Sequence, residues 1–181
     1  MVSRVEQLAS LVYTIKEGVE SLGKVGHTLL QKLFYLLQHG EGVMLGYKYK
    51  LYYYGPYCQD LWSDLHILHS EDLINIEPSP DGFGYIIGLG NETGRINSLE
   101  KLVKDETREK AKKLLSLLGG EPVKSLESLA TTHYVYSDLR RNKSKDFSKK
   151  LVVEKVLALK PHLNESDVQR AIQILEENDL V

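Results

Sequence analysis

The spacing of apolar residues predicts three helices in the first part of the chain, near residues 3–18, 27–39 and 57–71. In each segment, aliphatic side chains return every three or four positions, as on the buried face of an amphipathic helix. Between the second and third segments the period changes to two, which predicts a strand from Tyr47 to Tyr54. Gly55-Pro56 is expected to end this strand and to place proline at the first position of the third helix.

A short β-hairpin is predicted after the third helix. Asp72 to Ile76 and Tyr85 to Leu89 have strand-like composition, and Pro78 to Gly84 between them is rich in turn-forming residues. Helix, helix, strand, helix and hairpin follow one another in the order of a winged helix, so residues 1–95 are interpreted as a winged-helix-like module. A different small α+β scaffold is the alternative to this interpretation.

The second part of the chain, residues 96–181, is predicted to be a helical bundle. A long helix is expected over residues 98–118, and a shorter one follows Pro122. Two more are predicted near residues 146–159 and from a cap at Asn164 or Ser166 towards Asn178. Because the connections are short, the bundle is expected to pack on the first module. The predicted fold class is mainly α, with α+β character from the hairpin.

Two segments of the chain resemble each other. DLWSDLHILHSEDLI, residues 60–74, aligns without gaps with DVQRAIQILEENDLV, residues 167–181, with five identities. Duplication of a helix-then-strand unit would explain the similarity. Convergence is the favoured interpretation, because buried helices that lead into a strand share the same apolar pattern.

Length and composition are those of a small globular protein. The chain has 181 residues, of which 42% are hydrophobic and 27% charged, enough for one core or two small ones. No apolar run approaches the roughly 20 residues that cross a bilayer, and the N-terminus lacks the apolar segment of a signal peptide. Cys58 is the single cysteine, so no internal disulfide can form, and a cytoplasmic protein with no membrane partner is expected.

Charge is unevenly distributed along the chain, although the net charge is only −2. Residues 1–100 carry seven bases and twelve acids, a net of −5, whereas residues 101–181 carry sixteen and thirteen, a net of +3. The densest basic patch is expected either to contact phosphates or an acidic partner protein, or to be a solvated loop. It comprises Arg140, Arg141, Lys143, Lys145, Lys149 and Lys150.

Tyrosine is concentrated around Gly55-Pro56, since six of the eleven tyrosines lie within eight residues of this pair. Tyrosine offers a large contact area with few rotamers, and its hydroxyl tolerates water when no partner is bound. The candidate partner-binding residues, which share one face of the predicted strand, are Tyr52, Tyr54, Lys48 and Lys50. Packing between the flanking helices is an equal alternative for Tyr49, Tyr53 and Tyr57.

The sequence contains no catalytic or metal-binding motif. His66 and His69 have the i, i+3 spacing that can place two imidazoles on one side of a helix, with Asp64 and Glu71 nearby. Two histidines do not make a metal site, and the HExxH, paired CxxC, GxGxxG and P-loop patterns are absent. A non-enzymatic protein without metal or cofactor is therefore predicted.

The third helix would enter the major groove if the module bound DNA as winged helices do. Its predicted outward residues are Gln59, Asp60, Ser63, Asp64 and Glu71. Three carboxylates facing a duplex would repel its phosphates, so base recognition by this helix is disfavoured. A DNA-binding transcriptional regulator is the alternative function, and it would use Lys48, Lys50 or the basic patch.

Several motifs give a resemblance to a known family. The LQKLFYLLQ helix, the LYYYGPYCQDLWSDL junction, the segment HSEDLINI and the later LATTHYVYSDL resemble the YwgA-like branch of the Panacea domain group, relatives of SocA-type antitoxins. The similarity covers most of the chain, and its most specific element is QK before the aliphatic helix combined with YYGPY about twenty residues later.

The resemblance implies a non-enzymatic regulator or antitoxin component that binds a partner protein such as a toxin. The oligomeric state is left open, and a homodimer is one alternative. The chain departs from its relatives at Cys58, where they commonly carry a serine that could cap the following helix. A packed thiol is the favoured interpretation of Cys58, and a reactive thiol at a helix N-terminus is the alternative.

Overall fold

The computed structural model describes residues 3–142 and 147–181. The fold is mainly α with α+β character, as the sequence predicts. The helices in the described ranges are α1 Arg4–Leu22, α2 His27–His39, α3 Gln59–Ser70, α4 Thr93–Glu100, α5 Asp105–Leu118, α6 Val123–Arg141, α7 Lys149–Leu159 and α8 Glu165–Glu177. The strands are β1 Val25–Gly26, β2 Lys50–Tyr52, β3 Gly55–Tyr57, β4 Ile74–Pro78 and β5 Tyr85–Leu89.

The predicted long helix over residues 98–118 is wrong, because the chain leaves the helix between α4 and α5. Lys104 is extended at the start of α5, and the acidic Asp105 and Glu106 occupy its first turn, where the helix dipole favours negative charge. The Arg108 guanidinium donates to the carbonyls of Val103 (3.0 Å) and Glu100, which lie at the break. The helix after Pro122 is also longer than predicted, since α6 runs for 19 residues.

The predicted hairpin is present as β4 and β5, which pair antiparallel with Ile76 opposite Ile87. β1, which the sequence analysis missed, joins the other edge of β5 and gives the strand order β1-β5-β4. Two residues are too few to give an alternating pattern. The order of elements is therefore α1, β1, α2, α3, β4, β5, with the β2–β3 ribbon inserted before α3.

The single strand predicted from Tyr47 to Tyr54 is instead one arm of a tight hairpin. β2 and β3 pair antiparallel with Tyr52 opposite Gly55, so Tyr53 and Tyr54 form the turn. We call residues 50–57 the tyrosine hairpin. Pro56 lies in β3, opposite Leu51, and not at the first position of α3, whose N-cap is Cys58. The β-turn allows the chain to reverse two residues earlier than the Gly-Pro pair suggests.

The main apolar core draws residues from α1, α2, α3, the sheet, α4, α5 and α6, and also includes Leu175 and Leu180 near the end of the chain. A smaller cluster lies between the end of α6, α7 and α8 and includes Val135, Val152 and Ile172. α6 thus contributes side chains to both clusters. The division into modules 1–95 and 96–181 stays a prediction. Among the described residues, no helix combines the length and apolar character needed to cross a bilayer.

The two similar segments end their helices in the same way. Asp72 and Asp179, which align, both adopt a positive φ, of 53° and 55°. The following leucine amides then donate to leucine carbonyls within the helix, Leu73 to Leu68 (3.0 Å) and Leu180 to Leu175 (2.9 Å). Both terminal leucines are buried. This shared helix ending accounts for three of the five identities, which agrees with convergence on one local structure.

Candidate functional site

Two glutamines of α2 hold the segment that contains the tyrosine hairpin. Gln31 accepts from the Cys58 amide (3.0 Å) and donates to the Cys58 carbonyl (3.0 Å). About two helical turns further on, Gln38 forms the same pair of bonds with the backbone of Tyr47 (2.9 and 2.7 Å). Each glutamine side chain thus satisfies the backbone N–H and C=O of one residue, as a neighbouring strand would. Both ends of residues 47–58 are therefore fixed to the same helix.

Lys32, next to Gln31 on α2, also contacts the tyrosine hairpin. Its Nζ donates to the Pro56 carbonyl at 2.9 Å, and the side chain is buried. Burial lowers the pKa of Lys32 to about 8, although the nearby Glu127 carboxylate acts in the opposite direction. QK and GPY, the most specific pair of motifs in the sequence, are thus in direct contact.

A second buried lysine holds the turn from the side of the helical bundle. Lys160, at the end of α7, donates to the carbonyls of Tyr52 (2.8 Å) and Tyr53. Its ammonium also lies 3.1 Å from the Glu127 carboxylate of α6, and these side chains are only 6% and 3% exposed. The other oxygen of Glu127 faces His162 Nε2 at 2.9 Å. Such a buried pair depends on complete hydrogen bonding, because either charge alone would be strongly disfavoured.

Gly55 lets the hairpin approach α6 closely. Its φ of +87° is one that glycine adopts readily, and a Cβ placed there would lie 2.9 Å from Thr131 Oγ1. The Glu127 carbonyl would lie 3.5 Å away. The glycine is therefore required both by the turn and by the packing of the turn on the helix.

Three consecutive tyrosines stand in solvent at the tip of this hairpin. Tyr52, Tyr53 and Tyr54 are 60%, 75% and 63% exposed. The Tyr52 ring contacts those of Tyr53 and Tyr57, with centroids 4.8 and 5.8 Å apart. Tyr52 and Tyr53 line a shallow cleft together with Leu159, which is also exposed. The exposure of Tyr52 and Tyr54 agrees with the predicted contact face, whereas the packing alternative for Tyr53 is wrong. Tyr49 and Tyr57 are partly buried, as that alternative expected.

His133 of α6 connects α2 to the end of the chain. His133 is buried; its Nε2 lies 3.0 Å from the Leu180 carbonyl and its Nδ1 lies 2.8 Å from the Tyr35 hydroxyl. Because a carbonyl only accepts, Nε2 carries the proton and Nδ1 accepts from the tyrosine. Burial lowers the pKa of His133 to about 4, so the ring is neutral at neutral pH.

The structure divides the predicted basic patch. The Arg140 guanidinium lies over the rings of Tyr136 and Phe147, 5.5 and 5.8 Å from their centroids, while Arg141 lines a different cleft beside Lys48. Lys149 is paired with Glu176 at 2.6 Å, and Lys150 lies 3.9 Å from Glu154. Lys143 and Lys145 lie outside the described residues. Two of the patch's charges are thus offset by carboxylates.

The outward face of α3 is less acidic than predicted. Asp64 is only 2% exposed; it accepts from Arg4 Nη1 at 2.6 Å and from the Tyr47 hydroxyl at 2.8 Å. Glu71 is paired with Arg95 at 2.8 Å. The exposed residues of the helix include His66 and Ile67, which the sequence analysis did not place there. A buried aspartate cannot be recognised from the sequence, because its partner Arg4 is 60 residues away.

No lysine or arginine occurs between residues 51 and 94, which carry seven carboxylates. α3 and the β4–β5 hairpin therefore offer no cation to a phosphate backbone.

His66 and His69 are engaged separately. The His66 ring packs edge-on against Trp62, with centroids 4.5 Å apart, and His69 Nδ1 lies 3.0 Å from the Ile74 carbonyl. Within residues 3–142 and 147–181, no group of three or more His, Cys, Asp or Glu is arranged to hold a metal ion. Cys58 is buried, and burial raises the pKa of its thiol, which favours the packed interpretation over the reactive one.

The sequence analysis missed the residues that hold the hairpin, Gln31, Lys32, Gln38, Glu127 and Lys160. One signal was available for Lys32, which lies three residues after Leu29 and four before Leu36, on the inward stripe of α2. A lysine on a buried face requires a partner. No such signal marks Lys160, whose partners in the hairpin, Tyr52 and Tyr53, are more than a hundred residues away.

No protein-family model matches the chain, and no curated protein matches it closely enough to indicate kinship.

Proposed function

We propose that this chain is a non-enzymatic protein-interaction module whose tyrosine hairpin binds a partner protein. The observation that supports the proposal is the exposure of Tyr52, Tyr53 and Tyr54 on a turn held by two buried lysines. In line with the resemblance to Panacea-type antitoxins, the proposed partner is a toxin, and the proposed setting is the cytoplasm.

The rigidity of the hairpin supports a binding role for the tyrosines. In the free protein, the apolar surface of exposed aromatic rings is in unfavourable contact with water. When a partner buries these rings, they contribute strongly to the binding free energy. A turn that is already fixed loses little conformational entropy on binding. Lys160 fixes the carbonyls of Tyr52 and Tyr53, and Lys32 fixes that of Pro56, so the backbone is already ordered before a partner arrives.

DNA binding receives less support than protein binding. The order of helices and strands in residues 4–89 supports a winged-helix-like module, but its α3 and β4–β5 hairpin lack any lysine or arginine. Of the described part of the basic patch, Lys149 is already paired with Glu176. Within residues 3–142 and 147–181, the predicted DNA-contact residues that have no carboxylate partner are Lys48, Lys50, Arg140 and Arg141, and so few cations would give weak and strongly salt-dependent affinity.

Co-purification with the product of the neighbouring gene tests the proposal. Both proteins are co-expressed, one carrying an affinity tag, and the recovered partner is quantified for the wild type and for a variant with Tyr52→Ala, Tyr53→Ala and Tyr54→Ala. We expect the triple variant to lose at least about tenfold in affinity, because hot-spot tyrosines each contribute about 1 to 2 kcal/mol. A matched control carries Phe83→Ala and Tyr85→Ala, which removes exposed aromatic rings from the other hairpin.

Thermal unfolding of each variant separates binding from folding. If the triple variant is folded and retains the partner at wild-type affinity, the tyrosine hairpin is not the binding site. Fluorescence anisotropy with a labelled DNA duplex at low salt completes the experiment. Tight duplex binding that Arg140→Glu and Arg141→Glu abolish would favour the regulator instead.

A further inference from the structure

A cleft beside the tyrosine hairpin brings together two basic residues that are far apart in the sequence. It is formed by α2, by the segment before β2 and by α6, and has a volume of about 340 Å³. Lys48 and Arg141 line it, together with the rings of His39 and Tyr134 and the carboxylate of Asp138. Lys48 and Arg141 belong to separate candidate sites in the sequence, so their proximity is a result of the fold.

Both cations are available to a ligand. Lys48 and Arg141 are exposed, and neither forms an ion pair or a side-chain hydrogen bond within residues 3–142 and 147–181. Asp138 is the one carboxylate among the residues that line this cleft, and it accepts from the Asn142 side-chain amide at 3.1 Å. Lys48 and Arg141 against Asp138 leave the cleft with a net charge of +1.

Histidine does not change this balance at neutral pH. Burial lowers the pKa of His39, and the Arg141 charge lowers it further. The pKa of the neighbouring His133 is lowered to about 4, mainly by burial and in small part by His39 and Arg141. Both rings are therefore neutral at pH 7, and Arg141 is close enough to the cleft to act on each of them.

Lys48, which lines the cleft, lies two residues before the start of the tyrosine hairpin. Residues alternate in direction along an extended segment, and Lys48, Lys50 and Tyr52 are all exposed. Residues 42–59 contain these two lysines and no carboxylate. A partner lying along this segment would therefore meet positive charge at one end and aromatic rings at the other.

We propose that the segment bound here is an acidic stretch of the partner protein, with its carboxylates at Lys48 and Arg141 and its apolar side chains against Tyr52, Tyr53 and Tyr54. The inference rests on the proposed function and adds the chemistry of the partner. Guanidinium and ammonium groups at a rim attract carboxylates, speed their approach and reject basic competitors.

Two labelled peptides provide the test. One alternates glutamate with leucine and phenylalanine, and the other has lysine in place of every glutamate. Binding to the full chain is measured by fluorescence anisotropy at about 50 and 200 mM salt, since screening weakens contacts between exposed charges. We expect the acidic peptide to bind at least about tenfold more tightly than the basic one, and its advantage to shrink at the higher salt.

Charge reversal locates the binding. The double variant Lys48→Glu with Arg141→Glu should bind the acidic peptide with an affinity lower by about tenfold or more. The matched control is Lys104→Glu with Lys155→Glu, which changes the net charge equally at exposed positions on other elements. We expect the control to stay within about twofold of the wild type, because most of its effect is screened.

Three outcomes would overturn the inference: the basic peptide binds as well as the acidic one, neither peptide binds, or both double variants weaken binding equally. The same variants tested on the co-expressed partner separate this inference from the function on which it rests. Loss of the partner in the triple tyrosine variant but not in Lys48→Glu with Arg141→Glu would leave the docking function intact and refute the acidic segment. Retention in both would refute the docking function itself.

Discussion

The two hairpins of this protein expose aromatic rings but are held in different ways. The tyrosine hairpin presents Tyr52 to Tyr54, and the β4–β5 hairpin presents Phe83 and Tyr85. The turn of β4–β5 is stabilised locally, since the Ser79 amide donates to the Gly84 carbonyl (3.0 Å) and Asp81 accepts from the Phe83 amide (3.0 Å). The turn of the tyrosine hairpin is instead held by lysine side chains from α2 and from the end of α7, and it packs closely against α6.

The way each turn is held distinguishes a candidate binding site from an ordinary exposed surface, which exposure alone does not do. An exposed ring on a locally stabilised turn is a common surface feature and needs no explanation. An exposed ring on a turn held by buried charges is expensive to maintain, because each buried ion must be desolvated and then paired. The charges within the two segments differ as well: Lys48 and Lys50 lie at the start of the tyrosine hairpin, whereas residues 74–89 of the β4–β5 hairpin contain carboxylates and no lysine or arginine.

The largest predicted effect is the loss of Lys160. Lys160→Ala removes two hydrogen bonds to the turn and leaves Glu127 buried without its ammonium partner. Breaking a buried pair in this way typically costs about 3 to 5 kcal/mol of unfolding free energy. Urea unfolding followed by circular dichroism measures the loss.

A double variant identifies the cause of this loss. Lys160→Met combined with Glu127→Gln removes both charges, so it should recover part of the stability lost in Lys160→Ala. If the double variant is no more stable than Lys160→Ala, an unpaired Glu127 is not the reason for the effect.

The second prediction concerns pH and the buried His133. Its pKa is lowered in the folded protein to about 4 from an ordinary value of 6.5, because burial opposes the charged ring. Between these values the unfolded chain binds the extra proton, so stability is complete above pH 6.5 and falls as the pH drops towards 4. The contribution lost over that window is about 3 kcal/mol.

His133→Gln should flatten this part of the stability curve, at the expense of some stability at pH 7. Unfolding free energies measured between pH 4 and 7 test this, with His66→Gln as the control for loss of one exposed imidazole on α3. An equally steep fall in His133→Gln would show that other groups cause the acid sensitivity.

The third prediction compares a glycine from each hairpin. Gly55 and Gly82 have φ values of +87° and +80°, so alanine is strained at both positions. Only at Gly55 would the new Cβ also meet a neighbour, Thr131 Oγ1, whereas nothing lies within 4 Å of Gly82. We expect Gly82→Ala to cost about 1 kcal/mol and Gly55→Ala about 2 to 3 kcal/mol, from strain plus displacement of the turn. Equal losses would mean that contact with α6 does not constrain the turn.

Much of the secondary structure could be predicted from the sequence because it depends on local patterns. α2 begins and ends at the predicted residues, and α8 begins after its Asn164 cap. The strands β4 and β5 lie on either side of the predicted turn residues. The predictions failed where long-range contacts decide. A uniform charged surface concealed the break between α4 and α5, and the tyrosine hairpin takes its shape from partners on other helices.

The candidate site was predicted in part. Composition indicated the tyrosines and lysines of residues 48–54, because their side chains are concentrated in a short segment. The proximity of Lys48 to Arg141 and the support from Lys32, Glu127 and Lys160 depend on how α2, α6 and α7 pack. No spacing rule connects residues so far apart in one sequence, so these features required the structure.

The smallest predicted effect lies on the β4–β5 side of the comparison. Arg95 and Glu71 form an ion pair at 2.8 Å, as close as many buried pairs, but both side chains are about half exposed. Water and salt screen such a pair, so Arg95→Ala should change the unfolding free energy by less than about 1 kcal/mol. The measurement is the same urea unfolding used for Lys160→Ala, at low and high salt. The distances in the Arg95–Glu71 and Lys160–Glu127 ion pairs are similar. A loss of unfolding free energy as large as that of Lys160→Ala would therefore mean that burial does not determine how much each ion pair contributes to stability.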